Sequence, residues 1–167
     1  MVGIGTAIEV AIGTRLTTTG APSTARGWPC PPASDGAVVI NEILTHTDPP
    51  LVDSIELYNP TGATVDLTGW YLTDDNNEPT KWTIPSGSIA AGGYRVFDEN
   101  DFGTAFRLSS LGEEVFLYAP DLRTGDGVSF DGAWNGVSFG RYRSHDAPER
   151  IDFPLQATRS LGAANSA

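Results

Sequence analysis

Short runs of β-branched and aromatic residues, each ended by a turn signal, constrain the fold of this chain more than any other feature. Val38–Leu44 ends before the turn residues 47–50, and Ser54–Tyr58 ends at Asn59-Pro60. Comparable runs continue along the chain at a spacing of roughly 8–12 residues. No window has a convincing helical period, and 19 glycines and 12 prolines among 167 residues supply the turns. The pattern predicts an all-β sandwich or barrel of about nine or ten short strands.

The composition divides the chain into a central domain and two flanks. Residues 1–36 are predicted to be an N-terminal flank, because four prolines within residues 21–34 favour extended, unpaired chain. Within this flank, Ala7–Ile12 is a strand-like run, interpreted either as the tail of a preceding domain or as an extra edge strand. Residues 37–160 are the predicted β-sandwich. The small and polar residues 161–167 are predicted to be a C-terminal linker.

Two hairpins are predicted in the second half of the chain. Asn135-Gly136 separates the runs Val128–Asp131 and Val137–Arg141, and Asn-Gly is a strong signal for a two-residue hairpin turn. Ser109–Gly112 is predicted to connect a second pair of strands. Each pair is therefore expected to be neighbours in one sheet.

Charge and cysteine content exclude several functions. The net charge is −11 at pH 7 and the pI is about 4.3. A surface this acidic repels phosphate backbones and anionic membranes, which predicts no nucleic-acid binding. No apolar run approaches the length of a membrane span, so membrane insertion is not expected. Cys30 is the only cysteine, so an internal disulfide or a thiolate metal cluster is excluded.

Several motifs occur in a fixed order along the central domain. They comprise Asn41–Ile43, Ile55–Asn59, Val65–Leu72, Trp82–Pro85, Ile89–Tyr94, Phe106–Ser109, Gly112–Leu117, Ser138–Arg141 and Leu161–Asn165. Together they resemble the lamin tail domain as it occurs in bacteria, over about residues 37 to 165. Trp70 and Trp82 lie within these motifs and are expected in the core.

The resemblance implies an immunoglobulin-like β-sandwich with no catalytic activity of its own. Bacterial members of this family occur in large secreted or surface proteins, beside hydrolase domains, other binding modules or further copies of themselves. Animal relatives in nuclear lamins associate with chromatin, DNA and protein partners. The strong acidity of this chain argues against carrying over the nucleic-acid role.

Two carboxylates and two histidines are the candidates for catalysis. Glu42 and Glu56 stand within apolar runs and could form the acid and base of a glycosidase. Alternatively, they are solvated or accept hydrogen bonds from backbone amides. His46 and His145 have polar neighbours, and the chain has no Gly-x-Ser-x-Gly nucleophile elbow. Because both glutamates lie in motifs of a family without known catalysis, no catalytic residue is predicted.

An acidic loop is the candidate metal site. Asp74, Asp75, Asn77 and Glu78 offer many oxygen atoms, and Ca²⁺ takes about six to eight oxygen ligands. The loop lacks the glycine and the distal glutamate of an EF-hand, and Asp and Asn are common turn residues. No cofactor is predicted, and calcium at this loop is the alternative.

Three residues are the candidates for ligand binding. Trp134 at a predicted turn and Tyr142 offer aromatic rings that could stack on a sugar, and Arg141 could receive a carboxylate. Alternatively, Trp134 caps a loop and Arg141 pairs with surface acids.

These observations predict an interaction or spacer module attached to flanking domains of a larger protein. Its expected partner is a protein or a surface polysaccharide, and a carbohydrate-binding sandwich is the alternative function. The expected location is extracellular or on the cell surface. Residues 1–6 do not read as a signal peptide, so the chain is interpreted as a fragment without its signal.

Overall fold

The structure is a computed structural model that describes residues 38–143 and 151–166. The predictions for the flank 1–36 and for His145 therefore concern residues outside this part of the chain. The described residues form twelve strands and one short helix. In chain order they are β1 (Val39–Leu44), β2 (Ser54–Tyr58), β3 (Val65–Asp66), β4 (Tyr71–Thr73), β5 (Trp82–Thr83), β6 (Ser88–Ile89), β7 (Tyr94–Asp98), α1 (Glu99–Phe102), β8 (Gly112–Tyr118), β9 (Gly125–Asp131), β10 (Ser138–Gly140), β11 (Tyr142–Arg143) and β12 (Ile151–Asp152).

Two four-stranded antiparallel sheets pack on each other and form the sandwich. One has the order β10-β1-β2-β7 and the other β5-β4-β8-β9, with β3-β6 and β11-β12 as small two-stranded sheets. Apolar residues of both large sheets form one core, which includes Ile40, Ile43, Ile55, Leu57, Leu72, Val115, Leu117 and Val128. The predicted all-β, immunoglobulin-like sandwich is confirmed. The strand count exceeds the prediction because five strands have two residues each, too few to give an alternating pattern.

A β-bulge explains how apolar and acidic residues share strand β1. The register with β2 shifts between Ile40 and Glu42, so Asn41 is an extra residue in β1. In a regular strand Ile40 and Glu42 would point to the same face, because side chains alternate with a period of two. With the bulge, Ile40 and Ile43 both enter the core, while Glu42 lies on the opposite face of the sheet, beside Glu56.

The acidic residues after β7 begin helix α1. Asp98 is the N-cap, and its Oδ1 accepts hydrogen bonds from the N–H of Asn100 at 2.8 Å and of Asp101 at 3.4 Å. The Asp101 carboxylate in turn accepts from the Asp98 N–H at 2.9 Å, which completes a capping box. A helix of four residues leaves no periodic pattern, so the sequence did not predict it. None of the helices in the described ranges is long and apolar enough to cross a membrane.

The predicted Asn-Gly hairpin is wrong, although its turn forms. The Val137 N–H donates to the Trp134 carbonyl at 3.0 Å, and Gly136 has φ of 73°. However, β9 and β10 belong to different sheets, so this turn crosses from one sheet to the other. The rings of Phe130 and Phe139 have centroids 5.3 Å apart in the interior. Both rings belong to the core, so the turn carries the chain from one sheet to the other with an aromatic side chain buried on each side of it.

The second predicted hairpin, around Ser109–Gly112, is also wrong. Residues 105–108 have no strand structure, and Phe106 and Leu108 enter the core from a loop. Gly112 then begins β8 with φ of 99°. The alternation of Phe106 with Leu108 therefore reflects burial and not strand pairing.

Residues 161–166, predicted to belong to a linker, are part of the folded domain. The preceding segment runs beside β10: the Gly140 N–H donates to the Pro154 carbonyl at 3.0 Å, and the Gln156 N–H donates to the Ser138 carbonyl at 2.8 Å. Further along, the Gly162 N–H donates to the carboxyl group of Glu56. Composition misled the prediction because hydrogen bonds to buried groups hold this segment, and its own side chains are small.

Candidate interaction surface

Glu42 and Glu56 lie opposite each other on β1 and β2 and have no exposed surface. Glu42 Oε1 accepts hydrogen bonds from Ser138 Oγ at 2.5 Å and from the Ser160 N–H at 3.0 Å. Its Oε2 accepts from Ser160 Oγ at 2.7 Å. The carboxyl group of Glu42 is thus enclosed by donors from two segments that are distant in the sequence.

Glu56 is held in a similar way by Asn41 and Gly162. Its Oε1 accepts from Asn41 Nδ2 at 2.8 Å, and its Oε2 accepts from the backbone N–H of Gly162. Burial raises the pKa of Glu56 above its ordinary value, the hydrogen bonds from Gly162 and Asn41 oppose this increase, and the neighbouring Glu42 adds to it. The protonated form is therefore favoured over a wider pH range than in a solvated glutamate.

Asn165 completes this cluster. Its Nδ2 donates to the carbonyls of Asn41 at 3.0 Å and Arg141 at 2.9 Å, and its Oδ1 accepts from Asn41 Nδ2 at 2.9 Å. A Cβ added at Gly140 would lie 2.8 Å from Asn165 Nδ2 and 2.5 Å from Gln156 Nε2. Glycine at position 140 therefore allows the C-terminal segment to approach this closely. We call Asn41, Glu42, Glu56, Ser138, Ser160, Gly162 and Asn165 the C-terminal clasp.

The geometry of the clasp decides between the two interpretations of the glutamates. A catalytic acid or base must reach a proton of the substrate directly or through one water molecule. Both carboxyl groups instead face Ser160 and Gly162, and no buried side-chain nitrogen or oxygen in the described residues lacks a hydrogen-bond partner. Glu42 and Glu56 thus fasten the C-terminal segment to the sheet and are closed to a substrate.

The acidic loop predicted as a calcium site uses its oxygen atoms internally. Asp74 pairs with Lys81 Nζ at 2.7 Å, and Asp75 Oδ1 accepts from the N–H and Nδ2 of Asn77 at 2.8 and 2.9 Å. These bonds from Asn77 lower the pKa of Asp75. Glu78 is exposed. Within residues 38–143 and 151–166, no three His, Cys, Asp or Glu side chains are placed to hold a metal ion. The loop has the geometry of an Asx turn.

Arg141, predicted to bind a ligand, is instead engaged inside the domain. Its guanidinium pairs with Asp126, whose side chain is 2% exposed, and its Nε donates to the Ile40 carbonyl at 2.7 Å. Asp126 also accepts from the Ile40 N–H at 2.8 Å. Burial raises the pKa of Asp126, and the charge of Arg141 opposes that increase. This group joins β1 to β9 and gives Arg141 a carboxylate partner from within the domain.

Trp134 and Tyr142 are exposed but do not form one aromatic platform. Trp134 is 76% and Tyr142 45% exposed. Trp134 lies near the end of β1, where the Gly136 N–H donates to the His46 carbonyl, whereas Tyr142 follows Arg141 beside the start of β1. A strand of this length separates the two ends by roughly 17–20 Å. A sugar stacked on one ring would therefore not reach the other.

Three loops meet at the end of the sandwich that carries Trp134. The Ala133 N–H donates to the Ser110 carbonyl at 3.1 Å, and His46 Nδ1 donates to the Ala133 carbonyl at 2.8 Å. Leu111, next to Ser110, is 86% exposed. Two large apolar side chains thus project into solvent from adjacent, hydrogen-bonded loops. We call His46, Leu111, Trp134 and the neighbouring cleft the loop-end surface.

The cleft of this surface has an acidic side. It has a volume of about 380 Å³ and is lined by residues 45–47 and 49–53, with Glu99, Leu108 and Ser110. Thr47 Oγ1 donates to Asp53 Oδ1 at 2.7 Å. Burial raises the pKa of Asp53, the bond from Thr47 opposes that increase, and Glu99 adds to it. Apolar side chains beside two carboxyl groups suit a partner that offers an apolar anchor and a positive charge.

Several of these residues were missed from the sequence. Leu111 had a usable signal, because a single large apolar residue between Ser110 and Gly112 occupies a turn. Asp126, Ser160 and Asn165 had none, since an isolated polar residue in a loop gives no indication of a distant partner.

The architecture defines the class of protein. It is an antiparallel β-sandwich module in which the paired carboxyl groups of the clasp are buried, while apolar side chains of the loop-end surface are exposed. The family model described as Lamin Tail Domain matches residues 31–138, so the chain belongs to the lamin tail domain family. This is a family of non-catalytic, immunoglobulin-like domains, and the resemblance noted in the sequence is confirmed. No curated protein and no solved structure matches the chain. The matched residues end at Ser138, so Ser160, Gly162 and Asn165 of the clasp lie beyond them.

Proposed function

We propose that this domain is a non-catalytic interaction module of a larger secreted or cell-surface bacterial protein, and that it attaches to a protein partner through the loop-end surface. The observation that carries the proposal is the pair Leu111 and Trp134, which are 86% and 76% exposed on adjoining loops. Adjoining exposed apolar side chains mark interaction sites more often than scattered single ones, and the hydrogen bond between Ala133 and Ser110 places these two on neighbouring loops.

The chemistry of the loop-end surface supports a protein partner. Tryptophan is enriched among residues that dominate binding energy. The loop that carries Trp134 is hydrogen-bonded to His46, which lines the cleft bordered by Asp53 and Glu99. A partner with an apolar anchor flanked by lysine or arginine matches both features. The acidity of the whole chain, −11 at pH 7, adds a long-range attraction for such a partner.

The setting of the domain is part of the proposal. The resemblance to bacterial lamin tail domains supports it, because such members of the family occur beside catalytic or binding domains in secreted and surface proteins. A module of this kind contributes attachment, and flanking domains of the parent chain contribute any activity. The complete reading frame tests this setting: we expect a signal peptide and further domains, and a cytoplasmic parent chain would contradict it.

Peptide selection followed by matched substitutions tests the binding surface. A displayed library of random peptides is selected on the immobilised domain, and the selected peptides are measured by calorimetry against the native chain, Trp134→Ala and Leu111→Ala. We expect apolar peptides with basic flanks, and a loss of affinity of about tenfold or more in each variant, as for interface hot spots.

Leu155→Ala is the matched control, because Leu155 is 44% exposed and belongs to the segment beside β10. It should leave the affinities unchanged. Peptides that bind Trp134→Ala as tightly as the native chain would refute the proposed surface. Specific binding of a glycan that depends on Trp134, with no peptide selected, would replace the protein partner with a carbohydrate.

A further inference from the structure

We propose that Asn135 is a site of spontaneous deamidation, that hydrogen bonds between two loops set its rate, and that the product breaks those bonds. Asn135-Gly136 is the only Asn-Gly pair in the sequence. It lies within the described residues, in the turn that connects β9 to β10. The reaction needs only water and no binding partner, so this proposal does not rest on the proposed function.

Asparagine followed by glycine is chemically suited to this reaction. The Gly136 nitrogen loses its proton and attacks Asn135 Cγ, the Cγ–Nδ2 bond breaks, and ammonia leaves with that proton. Water then opens the cyclic succinimide at either ring carbonyl, which leaves aspartate or isoaspartate at position 135. Glycine has no Cβ to shield the attacking nitrogen or to restrict the backbone as it turns toward the side chain.

Burial does not protect this turn from water. Trp134 and Asn135 are exposed, and so is Asp48 on the loop beside them. The Val137 N–H donates to the Trp134 carbonyl at 3.0 Å, and Gly136 has φ of 73°, which is the glycine position of a type II turn. The rate at Asn135 therefore depends on how firmly the turn is held.

Two hydrogen bonds hold the turn against residues 46–51, which we call loop 46–51. The Gly136 N–H donates to the His46 carbonyl at 2.7 Å. Asn135 Nδ2 donates to Asp48 Oδ2, across 87 positions of the sequence. Each bond engages one of the two groups that must react, since the first holds the attacking nitrogen and the second holds the leaving amide.

Both bonds oppose the reaction. The Gly136 nitrogen must leave its carbonyl acceptor before it can turn toward Asn135 Cγ. The Asp48 carboxylate also disfavours the negative charge that develops when this nitrogen loses its proton. Asp48 is itself held, because its carbonyl accepts from the Leu51 N–H at 3.0 Å. Deamidation therefore proceeds from the fraction of molecules in which the turn has separated from loop 46–51.

The product turns this attraction into repulsion. An aspartate at position 135 has no Nδ2 donor, and its carboxylate would face the carboxylate of Asp48 in place of the hydrogen bond. Isoaspartate in addition inserts its Cβ into the backbone of the turn. Either product pushes the turn away from loop 46–51, and the bond between Gly136 and His46 is lost with it.

The first experiment compares the rate in folded and unfolded chains. The complete chain, the same chain in guanidinium chloride and a synthetic peptide of residues 131–141 are incubated at one neutral pH. Peptide mapping by tandem mass spectrometry follows conversion at Asn135, with the exposed Asn100 as a slow internal reference, because Asp101 shields its neighbouring nitrogen. We expect the folded chain to react about tenfold or more slowly than the other two. Equal rates, or no conversion in the unfolded chain, would refute the proposal.

Asp48→Ala tests the bond to the leaving amide. It removes the acceptor and its charge, so deamidation at Asn135 should be about three- to tenfold faster than in the native chain. Asp131→Ala is the matched control, because Asp131 is an exposed carboxylate shortly before the turn, and it should leave the rate unchanged. A rate in Asp48→Ala equal to the native one, or below it, would overturn the role assigned to Asp48.

Two further variants test the effect of the product. Asn135→Asp has the sequence of the aspartate product, and hydrogen exchange at the Gly136 amide should be about threefold faster or more. In the double variant Asp48→Asn/Asn135→Asp the donor and the acceptor exchange places, which should restore slow exchange. Unchanged exchange in Asn135→Asp, or equally fast exchange in the double variant, would contradict the repulsion between the two loops.

Discussion

The C-terminal clasp and the loop-end surface treat their functional groups in opposite ways. At the clasp, Glu42 and Glu56 are fully buried and hydrogen-bonded to a segment more than a hundred residues away. At the loop end, Leu111 and Trp134 remain in solvent. The carboxylates that the sequence offered as a catalytic pair are thus structural, whereas Trp134, a candidate for ligand binding, and Leu111, which the sequence analysis did not single out, are exposed.

The difference follows from what covers each region. Residues 156–166 run back over the outer face of the sheet and satisfy the carboxyl groups. At the loop end, the hydrogen bonds of His46 and Ala133 are made within and between the loops, so their backbone is satisfied while the side chains project outward. The comparison predicts large stability effects at the clasp and small ones at the loop end.

Removing a clasp carboxyl should have the largest effect. Glu42→Ala leaves Ser138 Oγ and both donors of Ser160 without their acceptor, and buried unsatisfied donors cost about 1–3 kcal/mol each. We expect the free energy of unfolding to fall by about 3 kcal/mol, measured by urea denaturation. Glu78→Ala, on an exposed residue, is the control and should change stability little. A loss below that of a surface substitution would mean that the clasp is not closed in solution.

Crowding the clasp without removing a bond should have the next largest effect. Gly140→Ala places a Cβ against the amide groups of Gln156 and Asn165, which forces the C-terminal segment outward at a cost of about 1–3 kcal/mol. Gly62→Ala is the matched control, because nothing lies within 4 Å of an added Cβ there. Thermal unfolding compares the two variants, and equal melting temperatures would contradict the close contact.

A smaller effect is expected from pH. The pKa of Glu56 is raised above 4.5 in the folded state, so the folded protein retains a proton that the unfolded chain has lost. Stability gained below the unfolded pKa is therefore lost as pH rises through the folded pKa. The partly buried carboxyls of Asp53 and Glu113 and the buried carboxyl of Asp126 contribute with the same sign, because their pKa values are also raised. Urea denaturation at several pH values should give a free energy of unfolding that falls as the pH rises above the ordinary carboxyl pKa values.

Glu56→Gln isolates the part of this slope that comes from the clasp. The amide does not titrate, so the free energy of unfolding of the variant should decline less steeply than that of the native chain as the pH rises. An unchanged slope would mean that burial of Glu56 does not contribute to the pH dependence.

The smallest stability effect is expected at the loop end. Trp134→Ala and Leu111→Ala remove exposed side chains, and such substitutions usually change stability by less than about 0.5 kcal/mol. Both variants should have the same melting temperature as the native chain, and both should lose partner binding. Phe130→Ala, which removes a buried ring of the same region, is the contrast and should cost about 3 kcal/mol or more. A large loss in Trp134→Ala would mean that this ring packs on the domain.

The pattern of short strand-like runs was sufficient to predict the fold. It failed to predict which strands pair, because pairing joins residues that are distant in the sequence. Trp70 is buried and Trp82 packs against Phe97 and Phe102, in agreement with their expected place in the core. Asn135-Gly136 forms its turn, but the sequence could not indicate that β9 and β10 belong to different sheets. Turn chemistry is local, whereas the choice of partner strand depends on which faces bury more apolar area.

The candidate sites show the same contrast between local signals in the sequence and contacts between distant segments. The sequence by itself determined the all-β fold, the family and the place of Trp70 and Trp82 in the core, because alternation and turn signals act within a few residues of one another. Only the tertiary structure decided that Glu42 meets Ser160, that Arg141 meets Asp126 and that Leu111 stands beside the Trp134 loop. A buried carboxyl and an exposed one have the same side chain, and their different environments come from segments that the fold brings together across the chain.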